Sequence, residues 1–375
     1  MNILIFIIIL LVLVLVHEFG HFFVAKKFGI RVDEFGFGFP PKLWGKKFGE
    51  TEYTINLLPL GGFVKIFGET PDEENTNGPD RARSFIHKPK WQQAVVLVAG
   101  VFMNFLLAWF LFSFGFMSGL PTSVAQSQSA GYTLENVNLV IVSVMADSPA
   151  AAAGLQSGDK IIEISLPASS DSNDHIRDPN PDELKNFITT RGSRVSEGYP
   201  LGISYIRGQA EESITLVDEL YIKTGQPTLG IAMDEIGTAK LGIFRAFGEG
   251  LKYTLLLTKA TFLGLYNIIK DGLSGNGSME SITGPVGLVG VVGDAYQFGF
   301  AYLLSFAALI SVNLAIINLL PFPALDGGRL LFLLIEKIKG SPMNIKVVNA
   351  ANSMGFIILI LLMLLVTYHD IIKLF

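Results

Sequence analysis

The chain opens MNILIFIIILLVLVLVHEFGHFFVAKK, Met1 to Lys27, and this stretch decides how the rest is read. Met1 to Ala25 is long enough to cross a bilayer, because a helix rises ~1.5 Å per residue and a span takes about 20 residues. No charged side chain precedes His17. Then comes His17-Glu18-Phe19-Gly20-His21, an H-E-x-x-H motif. Positions four apart share a helix face, so the two imidazoles point the same way and offer half of a tetrahedral zinc site. Glu18 lies beside them, where a carboxylate can take a proton from a water on the ion. Lys26 and Lys27 are the first basic residues, which places His21 roughly 7 Å inside the interface. An ionisable group at such depth costs about 2.5–3.5 kcal/mol and marks function. H-E-x-x-H also occurs by chance on solvated helices. Three costly groups together in an apolar segment favour a metal site over that reading.

Of the 375 residues, 50% are hydrophobic and only 16% charged, against about 25% in soluble domains. This is a membrane composition. The net charge of -5 and the lack of a long basic run argue against a nucleic-acid partner. There is no cysteine, so a zinc ion must be held by histidine and carboxylate. The first segment lacks a basic n-region and an Ala-x-Ala cleavage sequence, so it is expected to be a retained span rather than a removed signal peptide.

Four apolar segments can span: Met1–Ala25, and stretches within Gln92–Leu120, Ala295–Leu320 and Val347–Tyr368. Lys26, Lys27 and Arg31 follow the first, Lys88 and Lys90 precede the second, and Arg329, Lys337, Lys339 and Lys346 separate the last two. The positive-inside rule then puts these loops in the cytoplasm. Both termini and the region between spans two and three lie outside it. The expected fold is a polytopic α-helical membrane protein with four spans, a membrane-associated β-hairpin or sheet, and an inserted α+β extracytoplasmic domain.

That sheet is read from the first loop. Glu52–Leu57 and Phe63–Phe67 have strand composition, with turn signals at Pro59-Leu60-Gly61-Gly62. Residues 32–70 are expected to lie against or dip into the membrane, which re-entrant backbone tolerates only where protein or a wet cavity satisfies it. An ordinary surface hairpin is the plainer alternative. Polar, acidic Glu69–Asp80 reads as a mobile loop. The first two spans with this sheet make region 1–120. Region 121–236 is a separate soluble domain: a strand at Leu139–Val144, then Ser148-Pro149-Ala150, Ala153-Gly154-Leu155, Gly158-Asp159 and Ile161. This S-P-A-x-x-A-G-L-x-x-G-D-x-I pattern resembles a PDZ domain of the bacterial type, which implies capture of extended peptide by strand addition. Thr228–Ile231 looks like the matching edge segment, and Pro167–Pro181 an inserted loop. A steric cap that binds no peptide is the alternative. In region 237–294, Leu241–Lys270 is amphipathic with Arg245, Glu249, Lys252 and Lys259 at helical spacing, which suits a surface helix. Gly284-Pro285-Val286-Gly287 then breaks the chain. Region 295–375 holds the last two spans.

A catalytic zinc takes three protein ligands and one open position. His87, His175 and His369 fall in loops or at the far end. Asp326 is better placed, closing the third span in Asn318-Leu319-Leu320-Pro321-Phe322-Pro323-Ala324-Leu325-Asp326-Gly327-Gly328. The prolines break the helix near the depth of the histidines. Asn318 can bond the freed backbone or a substrate, and the glycines allow close approach. Taken alone, Asp326 reads better as the N-cap of a cytoplasmic helix, and it becomes the preferred ligand because the two histidines need a third.

H-E-F-G-H, P-L-G-G-F-V-K, one PDZ-like domain, G-P-V-G and N-L-L-P-F-P-A-L-D-G-G together resemble the site-2 protease family of intramembrane metalloproteases, nearest its bacterial regulator-of-sigma-E branch. The resemblance implies Zn2+ held by His17, His21 and Asp326, Glu18 as general base, and Asn318 near the reacting centre. It implies a bacterial inner-membrane protease with its site near the cytoplasmic side. Its substrates would be single-span proteins already trimmed outside, such as anti-sigma factors or remnant signal peptides. That branch's best-known member carries two PDZ domains, and this chain has room for one. The competing expectation is a silent membrane adaptor with a peptide-binding module and a structural zinc. A zinc-dependent transporter would need more intramembrane charge than these spans supply.

Overall fold

The computed structural model describes residues 2–69, 77–145, 147–166, 174–196, 199–208, 213–217, 220–223, 226–274, 284–289, 292 and 299–372. In chain order, α1 (Asn2–Lys27) leads to β1 (Val32–Phe48), β2 (Thr51–Ile66) and α2 (Lys90–Ser118). Next come β3 (Leu120–Ser123), α3 (Val124–Ala130), β4 (Glu135–Val144), α4 (Pro149–Ala152), β5 (Lys160–Ser165), β6 (His175–Arg177) and α5 (Pro181–Ser196). They are followed by β7 (Leu201–Ile206), β8 (Ser213–Val217), β9 (Tyr221–Lys223), β10 (Gln226–Thr228) and β11 (Ile231–Ala239). Four helices close the series: α6 (Ile243–Leu273), α7 (Phe300–Leu319), α8 (Asp326–Lys339) and α9 (Ile345–Ile372). They fall into two compact units, one of Met1–Phe114, Phe247–Gly293 and Leu303–Phe375, the other of Gly115–Ala246 and Asp294–Tyr302.

Among the described residues α1, α2, α7 and α9 are long and apolar enough to cross a membrane, as the sequence led us to expect. The start of the expected third segment, 295–298, lies outside the described residues. Ile3, Leu4 and Ile8 on α1 and Phe356, Ile357, Leu361 and Leu364 on α9 are exposed. An apolar surface this continuous is unfavourable in water and fits a lipid environment.

In the first unit β1 and β2 each bend, so that one antiparallel pair builds several strand layers. Residues 34–37 lie between 62–65 on one side and 52–55 on the other, and 42–48 pair with 51–56 beyond. The expected strands at 52–57 and 63–67 are therefore present. Ala25, Ile30, Val32, Ile66, Phe85, Val96 and Leu97 form a buried cluster that ties the sheet's base to α1 and α2. Helix α6 matches the amphipathic segment, but it does not simply lie on a surface. Trp109 Nε1 donates to the Phe247 carbonyl at 2.9 Å, Tyr253 packs edge-on to Phe112, and Thr261 donates to Asn313 of α7 at 3.1 Å. These contacts take up one side of α6, while Leu255, Leu256, Phe262, Leu263 and Tyr266 stay exposed. Of the G-P-V-G segment, Gly284 and Gly287 N–H groups donate to buried Asp370 at 3.0 and 2.8 Å.

The second unit is built on an antiparallel sheet in the order β3-β11-β4-β5-β7-β8, with β6 added to β5. Its core includes Leu139, Ile141, Ile161, Ile164, Leu184, Phe187, Leu201 and Ile203. The Ser148–Ile161 motif acquires a physical reading. Ser148 Oγ caps α4 by accepting from the Ala151 N–H at 3.2 Å. Buried Asp159 accepts from the Gln156 N–H at 2.8 Å and pairs with Arg207 at 2.7 Å, closing the turn into β5. The expected loop 167–181 needs correction. Residues 167–173 lie outside the described residues, but 175–177 pair with β5 as a strand and Pro181 opens a helix. Polar side chains hid this because the edge strand is solvated on one face.

Candidate metal centre

His17 and His21 sit one turn apart on α1 and both are buried. The chain then travels through the sheet, α2 and the second unit before Asp326 returns to them. His17 Nε2 lies 3.1 Å and His21 Nε2 3.3 Å from Asp326 Oδ2, and the two Nε2 atoms are 3.2 Å apart. This is the potential metal-ligand cluster among the described residues.

The alternative for Asp326 can be tested directly. The N-cap of α8 is Leu325, which makes no side-chain cap bond, and Asp326 is the first helical residue. Its carboxylate turns to the imidazoles instead. The turn that delivers it is tight, with Ala324 at φ +75 and the Ala324 N–H donating to Asn352 at 3.1 Å. A Cβ on Gly327 would collide with the carbonyls of Leu319 and Leu320, so glycine is required for α8 to start against the end of α7.

The donors suit a metal ion. The Val96 carbonyl can only accept, so His21 Nδ1, at 2.8 Å, carries the proton and a neutral ring turns the Nε2 lone pair toward Asp326. Lone pairs and a carboxylate oxygen aimed at one point repel unless a cation lies between them. Ligands about 2.0–2.1 Å from a tetrahedral zinc stand about 3.3 Å from each other, which the three separations match closely.

Glu18 lines the same cavity of 420 Å³, together with Asn318, Phe63, Val64, Glu69 and Arg329. Its Oε2 accepts from the Val64 N–H at 3.1 Å. Strand residues 62–65 therefore border the carboxylate through their outer edge, the edge not paired to 34–37. Asn318 Nδ2 is 3.5 Å from His17 Nε2. All five residues expected at the site are thus brought together. Arg329, ion-paired with Glu69, also borders a second cavity of 430 Å³ lined by Lys90, Gln93, Glu336, Asn349 and Asn352. Outside the spans, Glu50 is paired with Lys26 and Arg83, each at 2.5 Å. The Lys26 bond, then the Arg83 bond, holds the Glu50 carboxyl below its usual range against the opposing effect of burial.

The sequence reading missed residues of α2. Val96, Gly100 and Asn104 form an i, i+4, i+8 stripe that meets His21 and His17. A Cβ on Gly100 would strike both rings. Asn104 had a signal: it is a buried amide in the middle of an uncharged span.

The architecture and the cluster define a polytopic membrane protein with a metal-competent centre between its first and third spans. The sequence matches Peptidase family M50 over residues 5–362, and the chain belongs to that family. It is 31% identical to the regulator of sigma E protease of Salmonella typhi, over 98% of each chain. It is 30% identical to the zinc metalloprotease RasP of Geobacillus kaustophilus, over 99% of this chain and 97% of the relative. A Clostridium perfringens protein provisionally named a zinc metalloprotease is 36% identical over 96% and 95%. Membership in a peptidase family decides against a silent adaptor and against a transporter: the protein is a membrane-embedded metalloprotease.

Proposed function

We propose that His17, His21 and Asp326 hold a zinc ion and that Glu18 is the general base for hydrolysis of a peptide bond in or near a substrate's membrane span. The observation that carries this reading is the convergence of three acceptor atoms, 3.1–3.3 Å apart, in a cavity that Glu18 lines. A bound zinc supplies Lewis acidity and brings the pKa of a water to about 7. Glu18 takes the proton of the attacking water and returns it to the leaving nitrogen. Asn318, beside His17, is placed to donate to the substrate carbonyl as it gains charge.

A substrate helix hides its peptide bonds, so it must unwind, and its freed backbone needs partners. The outer edge of 62–65 beside Glu18 can supply them by strand addition. Water reaches the site past Arg329 and Glu69, from the cavity bordered by Lys90 and Glu336. The basic residues near those positions favour the cytoplasmic face of a bacterial inner membrane for this side, by the positive-inside rule. The same rule puts both termini and residues 121–236 outside.

That domain we read as PDZ-like. Among the described residues 231–235 of β11 pair only with β4, since β3 covers 236–239, which leaves the other edge of this stretch open to a peptide. It would filter the outer part of a single-span substrate. The relatives named regulator of sigma E protease support anti-sigma factors as a substrate class, which we read as already trimmed outside the membrane.

The test uses the purified protein and a model single-span substrate. Chelation should stop cleavage and zinc should restore it, while Glu18→Gln binds zinc normally and cleaves nothing. Cleavage by Glu18→Gln at the normal rate would remove the assignment.

A further inference from the structure

We infer that Asn104 is a positioning residue for the metal centre: its side-chain carbonyl accepts the Nδ1 proton of His17 and so turns the Nε2 lone pair toward Asp326 and His21. This rests on the zinc-site reading above and extends it to a residue of α2.

Asn104 is fully buried. Its amide meets His17 Nδ1 at 3.3 Å with the nitrogen end, while Oδ1 has no partner among the described residues. The two ends of an amide are interchangeable in shape, so the ring decides which faces it. His17 Nε2 lies in the cluster with Asp326 Oδ2 and His21 Nε2. A neutral imidazole that gives that lone pair to a cation carries its proton on Nδ1. Nδ1 is then a donor, and the group facing it must accept. The amide therefore presents Oδ1, which also gives the orphaned oxygen a donor.

The neighbouring ligand shows the same arrangement with a backbone group. His21 Nδ1 donates to the Val96 carbonyl, two turns before Asn104 on the same face of α2. A carbonyl at Val96 and a carbonyl on Asn104 thus orient the two rings in the same sense. The turn that bears Asn104 is itself fixed, because buried Ser311 of α7 donates to the Asn104 backbone carbonyl at 2.8 Å. Partners of this kind set ring orientation and tautomer, and losing one weakens metal binding by about 10–100-fold.

The experiment measures zinc affinity of the full-length protein in detergent by competition with a chelator, alongside thermal unfolding of the zinc-free form. Asn104→Leu keeps the volume and removes the acceptor. Asn104→Asp keeps the acceptor and removes the donor. We expect Asn104→Leu to bind zinc about 10–100-fold more weakly, and Asn104→Asp to bind at least as tightly as the parent. Both zinc-free forms should unfold as the parent does. Zinc affinity unchanged in Asn104→Leu, or an Asp variant as weak as the Leu variant, would overturn the proposal. Should Asn104→Leu not fold, Asn104→Ala takes its place in the comparison. Asp326→Ala serves as the control for the underlying site. If it binds zinc as the parent does, the zinc-site reading fails and the role of Asn104 goes with it. If it loses zinc and Asn104→Leu does not, only the role of Asn104 fails.

Discussion

Gly100→Ala tests how tightly the centre is held. The methyl carbon would stand 2.8 Å from His17 Cε1 and closer still to His21 Nε2. Ordinary carbon contacts are about 3.5–4.0 Å, so the rings must retreat by roughly 0.7 Å or more or α2 must move. Neither is free to do so. His21 is pinned by the Val96 carbonyl, and Gly20 of α1 packs so close to Ala99 that a side chain there would strike its backbone. Overpacking of this kind costs about 1–3 kcal/mol, and a misplacement near 1 Å can cost about 100-fold in rate. The variant should therefore lose about two orders of magnitude in kcat/KM, bind zinc more weakly, and unfold at a lower temperature. Gly248→Ala is the control, because a methyl at that exposed position of α6 meets nothing within 4 Å. It should be neutral or slightly stabilising, as expected for Gly→Ala in a helix. The assay is cleavage of a single-span substrate with chelator-competition titration on the same samples. A Gly100→Ala protein with parental rate and parental zinc affinity would show that the rings do not lie against this glycine.

Further expectations follow the same geometry. Val64→Pro removes the N–H that Glu18 accepts and the donor at the strand edge, so cleavage should fall at least tenfold while zinc content, read by atomic absorption, stays at the parental level. Glu50→Gln should lower thermal stability by no more than about 1 kcal/mol at neutral pH, as befits a partly exposed ion pair. Because the folded carboxyl titrates below its usual value of 4.5, its contribution is present above that value and is lost as pH falls through the lower, folded one. The difference from the parent should vanish there in unfolding curves taken across pH. Removing 121–236 should widen the range of single-span substrates cut without abolishing cleavage, as scored on a panel differing only outside the span. Total loss of cleavage in a folded deletion protein would contradict the filter.

Much of the centre was legible because its chemistry conflicts with its surroundings. His17, Glu18 and His21 stand out in an apolar helix, and no packing argument explains them. Asp326 was harder. A carboxylate after two prolines and before two glycines has the local pattern of a helix start, and only the long-range return of α8 to α1 separates ligand from cap. The strands at 52–57 and 63–67 showed through their strand composition and the turn signals between them. The pairing of 42–48 with 51–56 did not show, because Lys42, Lys46 and Lys47 break up any apolar strand pattern and their partners are set by the bend in β1. Asn104 and Val96 escaped the sequence reading for different reasons. A lone amide in a span has several uses, and a backbone carbonyl has no sequence signature at all. The stripe that unites them with Gly100 exists only once α2 lies against α1.

The central claim is that an ion is gripped by ligands from α1 and the start of α8. It is tested most directly by an anomalous-difference map recorded at the zinc edge from crystals of Glu18→Gln protein. The account predicts one peak about 2.0–2.2 Å from His17 Nε2, His21 Nε2 and an Asp326 carboxylate oxygen. A zinc peak that leaves Asp326 outside bonding distance of the ion, or one located away from the histidines, would contradict it.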